Sequence, residues 1–167
     1  MVKYVALLRG IMPSNPHMRN SKLRALFEKL GFRNVSTVIS SGNVLFESPS
    51  KDAKKLESLI EKSQEGFKSI TIIRSKEQLQ QLVDKNPFKG CTDKSRLNVT
   101  FLKNKSSLKL SSQKGCKLFM HEGEVCSVTE LSDKTPDLMI FLEKQLGKEI
   151  TTRTWKTVNR VLGKLSQ

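Results

Sequence analysis

Val35-Ser36-Thr37-Val38-Ile39-Ser40-Ser41-Gly42-Asn43-Val44-Leu45-Phe46 is the stretch on which the fold turns. Its first five residues are dense in β-branched side chains, which pack well on a pleated surface and lose helical rotamers. Ser41-Gly42-Asn43 supplies a tight turn, and Val44-Leu45-Phe46 returns as the partner strand of a hairpin. Upstream, residues 2–8 are almost continuously apolar, the mark of a strand buried on both faces. A turn-rich segment, Met12-Pro13-Ser14-Asn15-Pro16-His17, leads to Asn20 as the expected N-cap of a helix. There Leu23, Leu26, Phe27 and Leu30 recur at helical spacing, and Gly31 closes the last turn. Downstream, Ser50 is the expected cap of a second helix reaching about Glu65, with Leu56, Leu59 and Ile60 inward, and Ile70-Thr71-Ile72-Ile73 is a fourth strand. The order β-α-β-β-α-β is that of a ferredoxin-like split unit.

The remainder repeats this order in worn form. Ser75 and Gln78 make a capping-box pattern at the head of a helix that Asn86-Pro87-Phe88 ends. Residues 97–102 read as a strand, and 117–120 with 125–128 read as a hairpin around Glu122-Gly123-Glu124. Pro136 opens a helix carrying Leu138, Phe141, Leu142 and Leu146, which Gly147 ends, and a final helix holds Trp155, Val158, Leu162 and Leu165. The expectation is an α+β chain of two ferredoxin-like (βαββαβ) halves, residues 1–74 and 75–167, the second degenerate, in one compact body.

No stretch approaches the ~18 consecutive apolar residues that span a bilayer. The apolar run at the start is broken by Lys3 and Arg9 and lacks a cleavage pattern, so the expected location is cytoplasmic. Three widely spaced cysteines, Cys91, Cys116 and Cys126, argue for reduced thiols. Cys116, His121 and Cys126 match no familiar zinc spacing, so no metal is expected. No phosphate-cradling glycine pattern, nucleophile elbow or catalytic carboxylate pair is present, so no cofactor is expected and enzyme status stays open. Glu57, Glu61 and Glu65 form a helical stripe that reads as solvated and paired with Lys54, Lys55 and Lys62.

Formal net charge is +14, which favours polyanionic or anionic partners. The excess divides evenly, 15 Lys/Arg against 8 Asp/Glu in residues 1–85 and the same in 86–167. The densest patch runs from Lys89 to Lys117, with Lys94, Arg96, Lys103, Lys105, Lys109 and Lys114 opposed by Asp93 alone, and reads first as a solvated face. Topology of this kind is shared with RNA-recognition domains, which stack bases on exposed aromatics of the central strands. Only Tyr4 answers to that; Asn43 and Leu45 stand where the other aromatics belong.

In a split unit the first and third strands are neighbours. Arg9-Gly10 and Ser41-Gly42-Asn43 therefore meet at one edge, where the first helix also begins. A guanidinium, an amide and glycines that allow close backbone approach make a candidate anion pocket.

Tyr4 to Ile11, Leu23 to Phe32, Ser41 to Phe46, Asn86-Pro87-Phe88 and Thr151 to Val158 together resemble the family called domain of unknown function 1697, from residue 3 to about 162. The resemblance implies two ferredoxin-like halves and no activity. The family's loop after Arg9-Gly10-Ile11 is often glycine-rich, where this chain has Met12-Pro13-Ser14-Asn15-Pro16, and its terminal motif usually has asparagines in place of Thr154 and Lys156. Carried over by motif, Arg9, Asn43, Arg153 and Trp155 are the candidate ligand contacts, beside Gly10 and Gly42; Trp155 also reads as a core anchor. Three functions follow as expectations: a binding module for a phosphate- or carboxylate-bearing ligand, an enzyme acting on a nucleotide-like metabolite at the same edge, or nonspecific nucleic-acid binding through the lysine patch. Oligomeric state is not legible.

Overall fold

A computed structural model describes residues 1–40, 42–91, 95–112, 115–121, 123–130 and 136–167. Ser41, Asp93, Lys94, Lys114 and Glu122, which figure in the turns and lysine patch above, lie outside the described residues. Among those described, five α-helices and two four-stranded antiparallel sheets make a mixed α+β fold. The elements are β1 (Val2–Leu8), α1 (Asn20–Lys29), β2 (Arg33–Thr37), β3 (Asn43–Ser48), α2 (Ala53–Lys62), β4 (Thr71–Ser75), α3 (Lys76–Asp84), β5 (Ser95–Leu102), β6 (Cys116–Met120), β7 (Glu124–Glu130), α4 (Pro136–Leu146), β8 (Ile150–Thr154) and α5 (Trp155–Leu165). Two compact units result: Met1–Gln81 with Asn159–Gln167, and Leu82–Val158.

In the first unit the strands lie in the order β2-β3-β1-β4. Alternation along β1 sends Tyr4, Ala6 and Leu8 to one face, where Val44, Phe46 and Ile73 join them under Leu23 and Phe27 of α1 and Leu56 and Ile60 of α2. Burying each of these large side chains contributes roughly 1.5–3 kcal/mol. Tyr4 stacks on Phe46 with centroids 5.5 Å apart and donates its hydroxyl to Ser50 O at 2.9 Å. Burial, then the charges of Glu77 and Asp52, raise its pKa. At 3% exposure Tyr4 is core and offers no stacking platform. The other face buries Val5, Leu7, Leu45 and Ile72, and the end of α5 meets it where Lys3 Nζ donates to Leu165 O at 3.2 Å. A cation there suits the negative end of the helix dipole.

The second sheet has the order β6-β7-β5-β8, the same relation among its strands. Leu102, Leu118, Val125 and Ile150 pack against Leu138 and Leu142 of α4.

Several local expectations change: Leu59, read as inward on the second helix, is 41% exposed, and that helix ends at Lys62 and not near Glu65. The second helix is capped by Asp52, whose side chain accepts from Lys55 N at 3.0 Å; Ser50 Oγ instead accepts from Asp52 N at 3.2 Å, one turn earlier. Helix α1 starts at Asn20 with Arg19 as N-cap and no side-chain cap. Ile39 leaves the sheet: it sits at φ 60°, exposed, in the turn that follows β2. Strand β8 is an addition to the sequence reading, although Ile150-Thr151-Thr152 after Gly147 is a β-branched signal for it. The Ser75–Gln78 capping box forms as read, with Ser75 N donating to Gln78 Oε1 at 2.8 Å and Gln78 N to Ser75 Oγ at 3.2 Å.

Candidate functional site

Four of the six candidate residues come together at one end of the first sheet. Leu7 pairs with Asn43, and Leu8 N donates to Gly42 O at 2.9 Å, so Arg9 leaves β1 beside the start of β3. From the other side Arg9 N donates to Ile70 O at 2.9 Å, and Arg9 O accepts from Ser69 Oγ at 2.7 Å. Ser69 and Ile70 carry no sequence signal for this role, because it depends on β4 lying beside β1. Gly42 must be glycine. It adopts φ 79°, and a Cβ on it would stand 2.9 Å from Leu8 O and 2.6 Å from Ile11 Cγ1. Gly10, at φ 69°, is exposed and has open space where a Cβ would be. The loop that follows folds on Gly66, whose missing Cβ would lie 2.5 Å from the His17 ring.

Asn43 points inward. Its side chain is 1% exposed and donates through Nδ2 to Val38 O at 2.9 Å, while Val38 N donates to Asn43 O at 3.0 Å. It holds the β2–β3 turn closed from beneath.

Arg153 and Trp155 belong to the second unit. Arg153 pairs with Val99 across β8 and β5, is 9% exposed, and donates through Nη1 to Thr151 Oγ1 at 2.7 Å and Thr152 O at 2.9 Å. Burial lowers its pKa to about 10, which leaves it a cation near neutrality. Trp155 opens α5 and meets Phe88 edge-on, with centroids 5.0 Å apart.

The corner of the first unit recurs in the second. Leu102 N donates to Gly123 O at 2.8 Å as Leu8 N does to Gly42 O, and Lys103 N to Glu149 O at 3.0 Å as Arg9 N does to Ile70 O. Val5 pairs with Arg74 as Val99 pairs with Arg153, and Arg74 Nη1 donates to Ile73 O at 2.9 Å as Arg153 does to Thr152 O. By this register Arg9 corresponds to Lys103, Asn43 to Glu124, and Ile70 to Glu149.

Cys116 and Cys126 do not converge on a metal. Cys116 packs with Leu118 and Val125, and strand alternation turns Cys126, the neighbour of Val125, to the opposite face. No group of three metal-ligating side chains forms among the described residues. Nor is any helix among them long and apolar enough to cross a membrane. In the lysine patch Lys89, Arg96, Lys105, Lys109 and Lys117 are exposed, and Lys103 is half-buried.

The fold and corner define an α+β protein with two four-stranded sheets. The chain belongs to the family described as "Protein of unknown function (DUF1697)", whose model matches residues 1–131. Arg153 and Trp155 lie beyond the matched residues. Among solved structures, a conserved bacterial protein, SP0830 from Streptococcus pneumoniae, is similar in fold, with a TM-score of 0.78 at 21% identity, over 100% of this chain and 99% of that one. No curated protein matches.

Proposed function

We propose that this chain is a binding module for a small phosphate- or carboxylate-bearing ligand, taken at the corner where β1 ends beside β3. The observation that carries this reading is the contrast between the two corners. Where the second unit has Glu124 and Glu149 at the positions flanking Lys103, the first unit has Asn43 and Ile70 flanking Arg9. The framework around Arg9 therefore brings no carboxylate at those two positions, and an anion approaching it meets less repulsion. Exposed Gly10 leaves room for close backbone approach, and the first turn of α1 contains no acidic residue to oppose an anion.

In this reading Arg9 and the backbone of Gly10 contact the ligand, while Gly42, buried with its carbonyl accepting from Leu8 N, holds the turn beside them. Asn43 keeps the turn in place, and Arg153 and Trp155 serve the second unit's own structure. The chain order β-α-β-β-α-β with strands 2-3-1-4 supports a ferredoxin-like first half, and the recurring corner supports a degenerate copy of it in the second. A cytoplasmic location and a soluble anionic partner belong to the same proposal.

The test is a titration with inorganic phosphate followed by amide NMR on wild type and Arg9→Ala. Shift changes centred on Gly10, Gly42 and Ile70 that vanish in the variant are expected. Equal changes in both proteins would remove Arg9 from the site.

A further inference from the structure

Among the described residues strand β4 is an edge, paired in its sheet with β1 alone. An edge of this kind presents a row of backbone N–H groups that can template pairing with another chain. Here every second amide from Ser69 to Ser75 is taken by a side-chain oxygen. Ser69 N donates to Gln64 Oε1 at 2.6 Å, Thr71 N to Glu61 Oε1 at 2.8 Å, Ile73 N to Glu57 Oε1 at 3.0 Å, and Ser75 N to Gln78 Oε1 at 2.8 Å. Gln64 also returns Nε2 to Ser69 O at 3.0 Å.

The periodicities explain why one helix can do this. Four helical residues advance about 6 Å and two strand residues about 6.6 Å, so side chains at 57 and 61 step along 73 and 71 in the opposite direction, and Gln64, just past the end of α2, reaches 69. The cost is visible at Glu57. Its carboxylate is 2% exposed, Oε2 has no hydrogen-bond partner, and Lys54 Nζ stands 3.5 Å away. An apolar residue would fill that position at lower electrostatic cost, so what the carboxylate returns is the N–H it accepts.

The opposite edge is protected by other means. Strand β2 carries a register shift between Arg33 and Ser36, Asn34 sits at φ 51°, and Lys164 Nζ donates to Thr37 O at 3.2 Å. Strand β4 pairs with β1 without a shift and holds no proline or glycine; its one charge, Arg74, is 8% exposed and donates through Nη1 to Ile73 O. An unshifted, β-branched edge whose one cation is buried lacks the exposed charges and bulges that keep edges apart.

We propose that Glu57, Glu61 and Gln64 form a seal over β4, and that this edge pairs with β4 of a second copy when the seal is removed. A two-fold axis sets the same edge against itself, antiparallel, so no other surface is required. The proposal does not rest on the anion-binding reading.

The test compares wild type with Glu57→Ala/Glu61→Ala/Gln64→Ala and with Glu57→Gln/Glu61→Gln, which keeps an acceptor oxygen at both positions. Amide exchange and light scattering across a concentration series are the readouts. In the alanine variant at low concentration, Thr71 and Ile73 should exchange roughly tenfold faster, while Ile72, turned toward β1 by strand alternation, keeps its protection. At high concentration this variant should gain a species of twice the wild-type mass, with Thr71 and Ile73 protected again; the glutamine variant should match wild type. Unchanged exchange at Thr71 and Ile73, or a mass equal to wild type at every concentration, overturns the seal. Should the triple variant fail to fold, Glu61→Ala alone supplies the Thr71 exchange rate: a rise supports the seal, and an unchanged rate overturns it.

Discussion

The side-chain amide of Asn43 donates to the carbonyl of Val38 at 2.9 Å from a position that is 1% exposed. The residue that its motif offers to a ligand is thus occupied in closing the turn from which Gly42 reaches β1.

Replacing it separates the two roles. Asn43→Ala should destabilise the protein by roughly 1–3 kcal/mol in urea unfolding, because a buried carbonyl loses its donor. Asn43→Asp should cost more, since a carboxylate at this buried position cannot donate to Val38 and must give up its hydration. If Asp were tolerated as well as Ala, the inward amide would not be holding the turn.

Two glycines at similar φ should respond unequally. Gly42→Ala adds about 1–2 kcal/mol of left-handed backbone strain to roughly 1–3 kcal/mol of overpacking against Leu8 and Ile11. Gly10→Ala carries the strain alone, because nothing lies within 4 Å of the added carbon. Thermal unfolding of both variants checks this, and equal losses would count against the close approach of Gly42 to β1.

Thiol chemistry should distinguish the three cysteines. Cys91 is half-buried, whereas Cys116 and Cys126 are buried. Burial, with a smaller effect from the charge of Glu124, pushes the Cys126 thiol up to about 12. A thiol reagent at about pH 8 should titrate one group rapidly in the native state and three after unfolding. Three rapid groups in the native protein would contradict the packing.

The same thiol has a pH signature. Its folded pKa lies above the ordinary thiol range, so the unfolded chain loses its proton first as pH rises. The thiol's contribution to stability is fully present below about pH 9 and falls by about 1.4 kcal/mol per pH unit until about 12. Cys126→Ala should remove that part of the alkaline slope, read as the difference between the two stability–pH curves.

Much of the fold was legible in the residues themselves. Leu23 and Phe27, one turn apart, are both fully buried, and Tyr4 to Leu8 form the doubly buried strand that their apolar run announces. The meeting of Arg9 with Gly42 followed from topology alone. The glutamate stripe did not read true throughout. Glu65 is solvated as read, but it lies past the end of α2 and stands beside Lys29, Nζ to Oε1 at 3.6 Å; Glu57, next to Lys54, is buried, and Glu57 and Glu61 are spent on β4. Their spacing is the same in either case, since a stripe on a helix says nothing about what lies opposite it.

By itself the sequence determined most of the helices and strands, β8 excepted, because periods of 3.6 and 2 are local properties of side-chain spacing. Only the tertiary structure decided whether Asn43 faces a ligand or Val38, and whether Glu57 faces water or an edge amide. Those outcomes depend on hydrogen-bond partners supplied by other strands and helices, whose distance and direction exist only once the sheet has assembled.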